Sequence, residues 1–94
     1  MIVLCGDRSS PVYRRFLHED IGLAGGQMML QAHALGLGTC WINLGTEIHD
    51  PEMRAELGIP DNCTIVAPIV LGYPERIPPA PKRKEPEILR IITQ

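Results

Sequence analysis

Three segments of the 94-residue sequence carry residues in patterns that could do chemistry. Lys82-Arg83-Lys84 sits between Pro81 and Pro86. Prolines hold such a backbone extended, so the cations have little entropy left to lose, which suits a phosphate group. The same run also reads as a solvated charge cluster on a tail. The other two segments are Gly22-Leu23-Ala24-Gly25-Gly26 and Gly36-Leu37-Gly38, with Trp41-Ile42-Asn43-Leu44 close behind. Neither is a dinucleotide fingerprint, because that motif follows a strand and opens a helix. These glycines serve either helix packing and capping, or close approach of the backbone near Trp41–Leu44 to a flat cofactor.

The remaining reactive side chains form no constellation. Cys5, Cys40 and Cys63 fit neither a disulfide framework nor a zinc site, and read as small buried thiols in a reducing cytoplasm. His18, His33 and His49 have no cysteine or carboxylate at ligand spacing, so no metal site is expected. Glu19-Asp20 and Glu52 with Glu56 suit helix N-termini and solvated faces. No Ser–His–acid or Cys–His arrangement is legible, and no catalytic side chain is assigned.

The elements that must position these residues follow from periodicity and breakers. Ile2–Cys5 is predicted as a buried strand closed by a turn at Gly6-Asp7. Ser9-Ser10-Pro11 starts a helix in which Val12, Phe16 and Leu17 can share a face. Asp20 is predicted to cap a second helix through Leu35, ended by Gly36 or Gly38. That helix is apolar nearly all round, so it should be buried on more than one side. Thr39–Asn43 reads as a strand. Asp50-Pro51 starts a short helix to Leu57 that stops at Gly58, with Met53 and Leu57 on one face. Thr64–Gly72 is a strand covered on both faces, with Pro68 marking a bulge or an unpaired edge. Five prolines from Pro74 to Pro86 make an extended arm, and Glu87–Ile92 is expected to close the chain as a short helix. Strands alternating with helices favour an α/β or α+β domain.

Composition bounds the function classes. The sequence is 45% hydrophobic and 21% charged, which excludes general disorder. A net charge of −2 argues against nucleic-acid binding. The longest apolar stretch, Ile65–Gly72, is too short to span a membrane, and Met1–Cys5 does not open a signal peptide. Only 4% of residues are aromatic, so the apolar content is aliphatic. A chain this small buries about 60–65% of its unfolded surface, so part of that aliphatic surface should pack against something outside the chain.

The block Asp20-x-Gly22-x-Ala24-x-x-Gln27-x-Met29-Leu30-x-Ala32-x-x-Leu35-Gly36-Leu37-Gly38-Thr39-Cys40-Trp41-Ile42 resembles the nitroreductase family of FMN-dependent oxidoreductases. Leu57-Gly58-Ile59-Pro60, the strand Ile65–Leu71, Leu71-Gly72-Tyr73-Pro74 and the basic arm follow in the same order, so the resemblance covers nearly the whole chain. It implies an α+β fold, a β-sheet flanked by helices, with 1–73 as the core and 74–94 as the arm of one partial domain. It also implies that the N-terminal half of the family fold, with its Arg-rich segment, lies outside this sequence. By the same resemblance the chain is a cytoplasmic homodimer binding FMN at the interface. Trp41, Ile42, Asn43 and Leu44 would line the flavin, and Lys82 and Lys84 would hold its phosphate, with Arg83 as the alternative if the register slips by one. NAD(P)H would supply hydride in a ping-pong cycle to nitroaromatic or quinone-like acceptors. The competing reading is a non-catalytic half-module that needs an oligomer or a partner chain to fold or to bind flavin.

Overall fold

The structure is a computed structural model that describes residues 1–43 and 50–93. Its elements run β1 (Ile2–Asp7), α1 (Pro11–Ala34), β2 (Gly38–Trp41), α2 (Pro51–Glu56) and β3 (Cys63–Gly72). The three strands form one antiparallel sheet in the order β1-β3-β2.

Each helix is bounded by local chemistry. The Ser10 hydroxyl accepts from the Tyr13 amide at 3.1 Å, and Pro11 occupies the first helical position. No second helix starts at Asp20. Residues 11–34 form one continuous helix, because nothing between Pro11 and Asp20 breaks it and Ser10 has already capped it. At its end Gly36 takes φ +79°, its amide donates to the His33 carbonyl, and the Leu37 amide donates to the Ala32 carbonyl. That pair of bonds is a Schellman motif, which needs the left-handed residue that glycine supplies. Helix α2 repeats the device. Asp50 caps it through the Glu52 amide, Gly58 takes φ +70°, and Gly58 and Ile59 donate to Ala55 and Arg54.

Strand β1 continues through Gly6 and Asp7 instead of turning there, since both pair with the start of β3. Paired residues share a face, so Ile2, Leu4, Gly6, Ile69 and Trp41 point to the side that α1 covers. The core is Leu4, Leu17, Val66 and Ile69, with Ile2, Ile21, Met29 and Trp41 packed around it. Only Leu17, Gly25 and Ala32 of α1 are buried, with Ile21 and Met29 half-buried beside them. The expected burial on several sides is therefore not met within this chain, which offers the helix one sheet face. Val12 and Phe16 are exposed and do not share the core with Leu17, and Leu23 and Leu30 are 70% and 72% exposed. Met53 and Leu57 of α2 are likewise not buried.

Strand β3 is covered on both faces over Ile65–Ile69, and Val70 beyond it is exposed. The register shift lies at Val66, which is skipped between the pairs Leu4–Ala67 and Cys5–Ile65. Pro68 itself pairs with Val3 and accepts from the Ile42 amide at 3.0 Å. In an antiparallel ladder a residue's N–H and C=O point to the same neighbour. Pro68 thus faces β2 with an acceptor and no donor, and β2 ends at Trp41.

Beyond Tyr73 there is no helix or strand through residue 93, and every residue from 72 to 93 is exposed. The expected helix over Glu87–Ile92 does not form: six residues without a packing surface cannot repay helix nucleation. The arm and the long helix raise the radius of gyration to 17.0 Å, against about 12 Å for a compact chain of this length.

The ends of β1 and β3 are tied at Asp7. Its carboxylate accepts from the Ser9 amide (2.7 Å), the Ser9 hydroxyl (3.0 Å) and the Asn62 side chain (2.9 Å). The Ser9 amide above all, then the other two donors, holds the Asp7 carboxyl below its ordinary range.

A Cβ on Gly22 meets nothing within 4 Å, whereas Gly36 lies in the left-handed region. Gly22→Ala should stabilise the chain and Gly36→Ala destabilise it, each by about 1 kcal/mol, as read from urea denaturation. For Asp7, a depressed folded-state pKa gives stability that is present above its unfolded value and lost as pH falls below about 4. Asp7→Ala should therefore lower Tm at pH 7, with the difference from wild type shrinking on titration from pH 5 to pH 3.

Candidate functional site

The end of β2 gathers three of the residues singled out from the sequence. Gly36 closes α1 and turns the chain, so that β2 runs back along β3 with Gly38 opposite Gly72 and Trp41 opposite Ile69. The Trp41 ring lies on α1 at Gly25. A Cβ on Gly25 would stand 2.6 Å from Trp41 Cζ3 and 2.6 Å from Leu4 Cδ1, so the indole and the Leu4 side chain fill the notch that glycine leaves. Beyond the strand, Trp41 Nε1–H donates to Asn43 Oδ1 at 2.6 Å. The Ile42 amide is spent on Pro68, and its side chain is half-buried. Asn43 is exposed. Leu44, the fourth residue of this group, lies outside the described residues, as does His49.

Lys82, Arg83 and Lys84 are exposed on the arm. No hydrogen bond or ring contact among the described residues joins them to Trp41–Asn43. The arm leaves β3 at Gly72, at the opposite end of the β2–β3 ladder from Trp41, about 10 Å away at strand spacing. Its root rests by the α1 turn, where Pro74 approaches Gly38. Lys82 follows ten residues later, and an extended segment of that length spans about 30 Å.

The side chains present suit the two ends of FMN. Three exposed cations match a phosphate, while an indole and an amide border the strand end where a flat ring system could lie. The Ile42 amide, spent on Pro68, is not available to such a ring. Among the described residues no group of three or more His, Cys, Asp or Glu could hold a metal ion. Nor, among them, is any helix long and apolar enough to cross a membrane.

The thiols are less buried than expected. Cys40 is exposed, and Cys5 and Cys63 are half-buried. Partial burial, then the neighbouring Cys63, pushes the Cys5 thiol above its ordinary range, with Arg54 opposing.

Two features had little signal in the sequence. Arg54 donates to the Pro60 and Cys63 carbonyls at 3.1 and 2.8 Å, fixing the loop between α2 and β3, and nothing in its surroundings marks it for that role. The seating of Trp41 on Gly25 was open to inference only as a small residue in a helix awaiting some close neighbour.

An apolar groove of about 240 Å³ lies between α1 and the sheet on the same side as Trp41, lined by Ile2, Met28, Met29, Leu35, Leu37 and Leu71 among others.

The model of the nitroreductase family matches residues 2–73. A protein of Methanothermobacter thermautotrophicus, named as a candidate NADH dehydrogenase/NAD(P)H nitroreductase, is 33% identical over 82 residues, covering 82% of this chain and 41% of the relative. A protein of the same name from Archaeoglobus fulgidus is 32% identical over 76 residues, covering 79% of this chain and 44% of the relative. The solved structure of an FMN-dependent nitroreductase from Clostridium difficile R20291 superposes with a TM-score of 0.65 at 30% identity. That superposition covers 85% of this chain and 48% of the other. The chain thus spans less than half the length of the relatives it matches.

Proposed function

The chain belongs to the nitroreductase family, and from that membership we propose that it acts as an FMN-dependent NAD(P)H oxidoreductase on nitroaromatic or quinone-like acceptors. The supporting observation is the superposition, over 85% of this chain, on an FMN-dependent nitroreductase. When bound, FMN would supply the chemistry of hydride transfer from NAD(P)H to the acceptor, in a ping-pong order. The chain's own part is binding and orientation. Lys82 and Lys84 neutralise the phosphate, with Arg83 adjacent. Trp41, Ile42 and Asn43, with Leu44 beyond them, border the ring system. No acid or base from this chain is needed, in keeping with the absence of a catalytic side chain from the sequence reading.

A second element of the reading is self-association. Val12, Leu23 and Leu30 of α1 and Leu35 at its C-cap are all exposed, as are Ile88, Leu89, Ile91 and Ile92 of the arm. Apolar exposure on this scale suits a surface covered by a second subunit. The same exposure favours the alternative of a non-catalytic half-module that folds or binds flavin only with a partner chain.

Titration with FMN and with riboflavin separates these readings. Wild type should bind FMN saturably and carry flavin absorbance. Lys82→Ala and Lys84→Ala should each weaken FMN binding by about tenfold and leave riboflavin, which lacks the phosphate, unaffected. A colourless protein without saturable binding would overturn the catalytic reading for this chain. Light scattering after size exclusion should return twice the 10.4 kDa chain mass, and a stable monomer would overturn the subunit pairing.

A further inference from the structure

We infer that Gly25, Trp41 and Asn43 form one positioning unit, in which a notch in the helix seats the indole and the indole in turn holds the asparagine at the end of β2. The inference rests on the flavin reading for its functional meaning, and on three local observations for its mechanics.

The first observation is the notch. Glycine costs a helix interior about 1 kcal/mol relative to alanine, and three of them lie close together in α1. Gly22 and Gly26 face open space, but Gly25 is buried under the Trp41 ring. Any side chain there would collide with Cζ3 of the indole and with Leu4. The second is the hydrogen bond. Trp41 is the chain's sole tryptophan. Its indole carries one donor and no acceptor, and that donor is directed at Asn43 Oδ1. With the ring fixed by packing, the position of Nε1 is fixed too, and it determines which end of the Asn43 amide faces the indole. The third is the backbone between them. Ile42 is tied to Pro68, so the two-residue link from Trp41 to Asn43 is anchored at its middle.

Trp41 therefore has a positioning role in addition to its place at the border of the proposed site. It acts through Asn43, and Gly25 acts through Trp41. The ring is oriented by the helix on one side and orients the strand exit on the other, which couples α1 to the border of the proposed flavin site.

The single indole allows a direct test without any cofactor. In ¹⁵N-labelled protein the Trp41 Nε1–H resonance should be slow to exchange with solvent. Asn43→Ala should shift that resonance and speed its exchange, while Asn43→Asp, which keeps an acceptor oxygen, should preserve the protection. Gly25→Ala should move the same resonance from the other side. Circular dichroism checks that each variant keeps the helix, and should Gly25→Ala not fold, the Asn43→Ala and Asn43→Asp pair still tests the bond. With FMN, Trp41→Phe, which removes the donor together with one of the two fused rings, should weaken binding by at least the two- to roughly tenfold worth of one neutral hydrogen bond, and alter the bound flavin spectrum. An indole resonance indifferent to Asn43→Ala would overturn the unit. So would wild-type FMN affinity and an unchanged flavin spectrum in Trp41→Phe. If wild type binds no FMN while the indole still responds to Asn43→Ala, the flavin reading fails and the holding of Asn43 by Trp41 stands.

Discussion

Helix α1 lies against the sheet at the distance it does because two residues lack a Cβ. Gly6 on β1 meets the Leu17 side chain, and Gly25 on the helix meets Leu4 and the Trp41 ring. One glycine is contributed by each layer, and in each case a large side chain from the other layer enters the space. A small core has few such contacts, so each one governs much of the arrangement. If either site carried a larger residue, the helix would have to lift, and the packing of Leu4, Leu17, Val66 and Ile69 would loosen together. The position of Trp41, and through it Asn43, is set by the same approach.

That approach uses only one stripe of α1. The rest of its apolar surface, from Val12 to Leu35, faces outward, and the arm adds a second stretch of exposed aliphatic residues. A single layer of helix on three strands buries little apolar area. This explains how a sequence with ordinary hydrophobic content has seven buried apolar residues among those described. Relatives with more than twice the matched length have more chain with which to cover such a helix.

Much of the fold was legible because its signals are local. Ser10-Pro11 and Asp50-Pro51 start helices, and Gly36 and Gly58 stop them through hydrogen bonds reaching no further than five residues. Two of the stretches that carry the family likeness, the one through Gly36-Leu37-Gly38 and Leu57-Gly58-Ile59-Pro60, contain these stop signals. They mark how the chain turns, and chemistry is a separate matter. What depended on distant partners was not legible. The merging of two expected helices into one is a local exception, set by the Ser10 cap and by Asp20 lying mid-helix. The choice of Gly25 over Gly22 and Gly26 as the buried glycine was set by where Trp41 arrives from another element. Of the site, the segment Trp41–Asn43 stood out in the sequence, and the bond that joins its two ends did not. The arm's cations were visible from composition, while their separation from the strand exit follows from the register of Gly38 with Gly72.

Pro68 makes one register shift of the sheet cost more than the other. Strand pairing is vulnerable to slippage, since a shift by two residues keeps every side chain on its proper face. In the observed alignment Trp41 lies on Ile69 and the Ile42 amide donates to the Pro68 carbonyl, so the donor that Pro68 lacks falls at the end of β2. A slide of β2 by two residues toward the start of β3 would carry that gap into the strand itself, opposite Cys40. The imino acid thus tells against that slide, and the alignment it favours sets Trp41 against the helix notch.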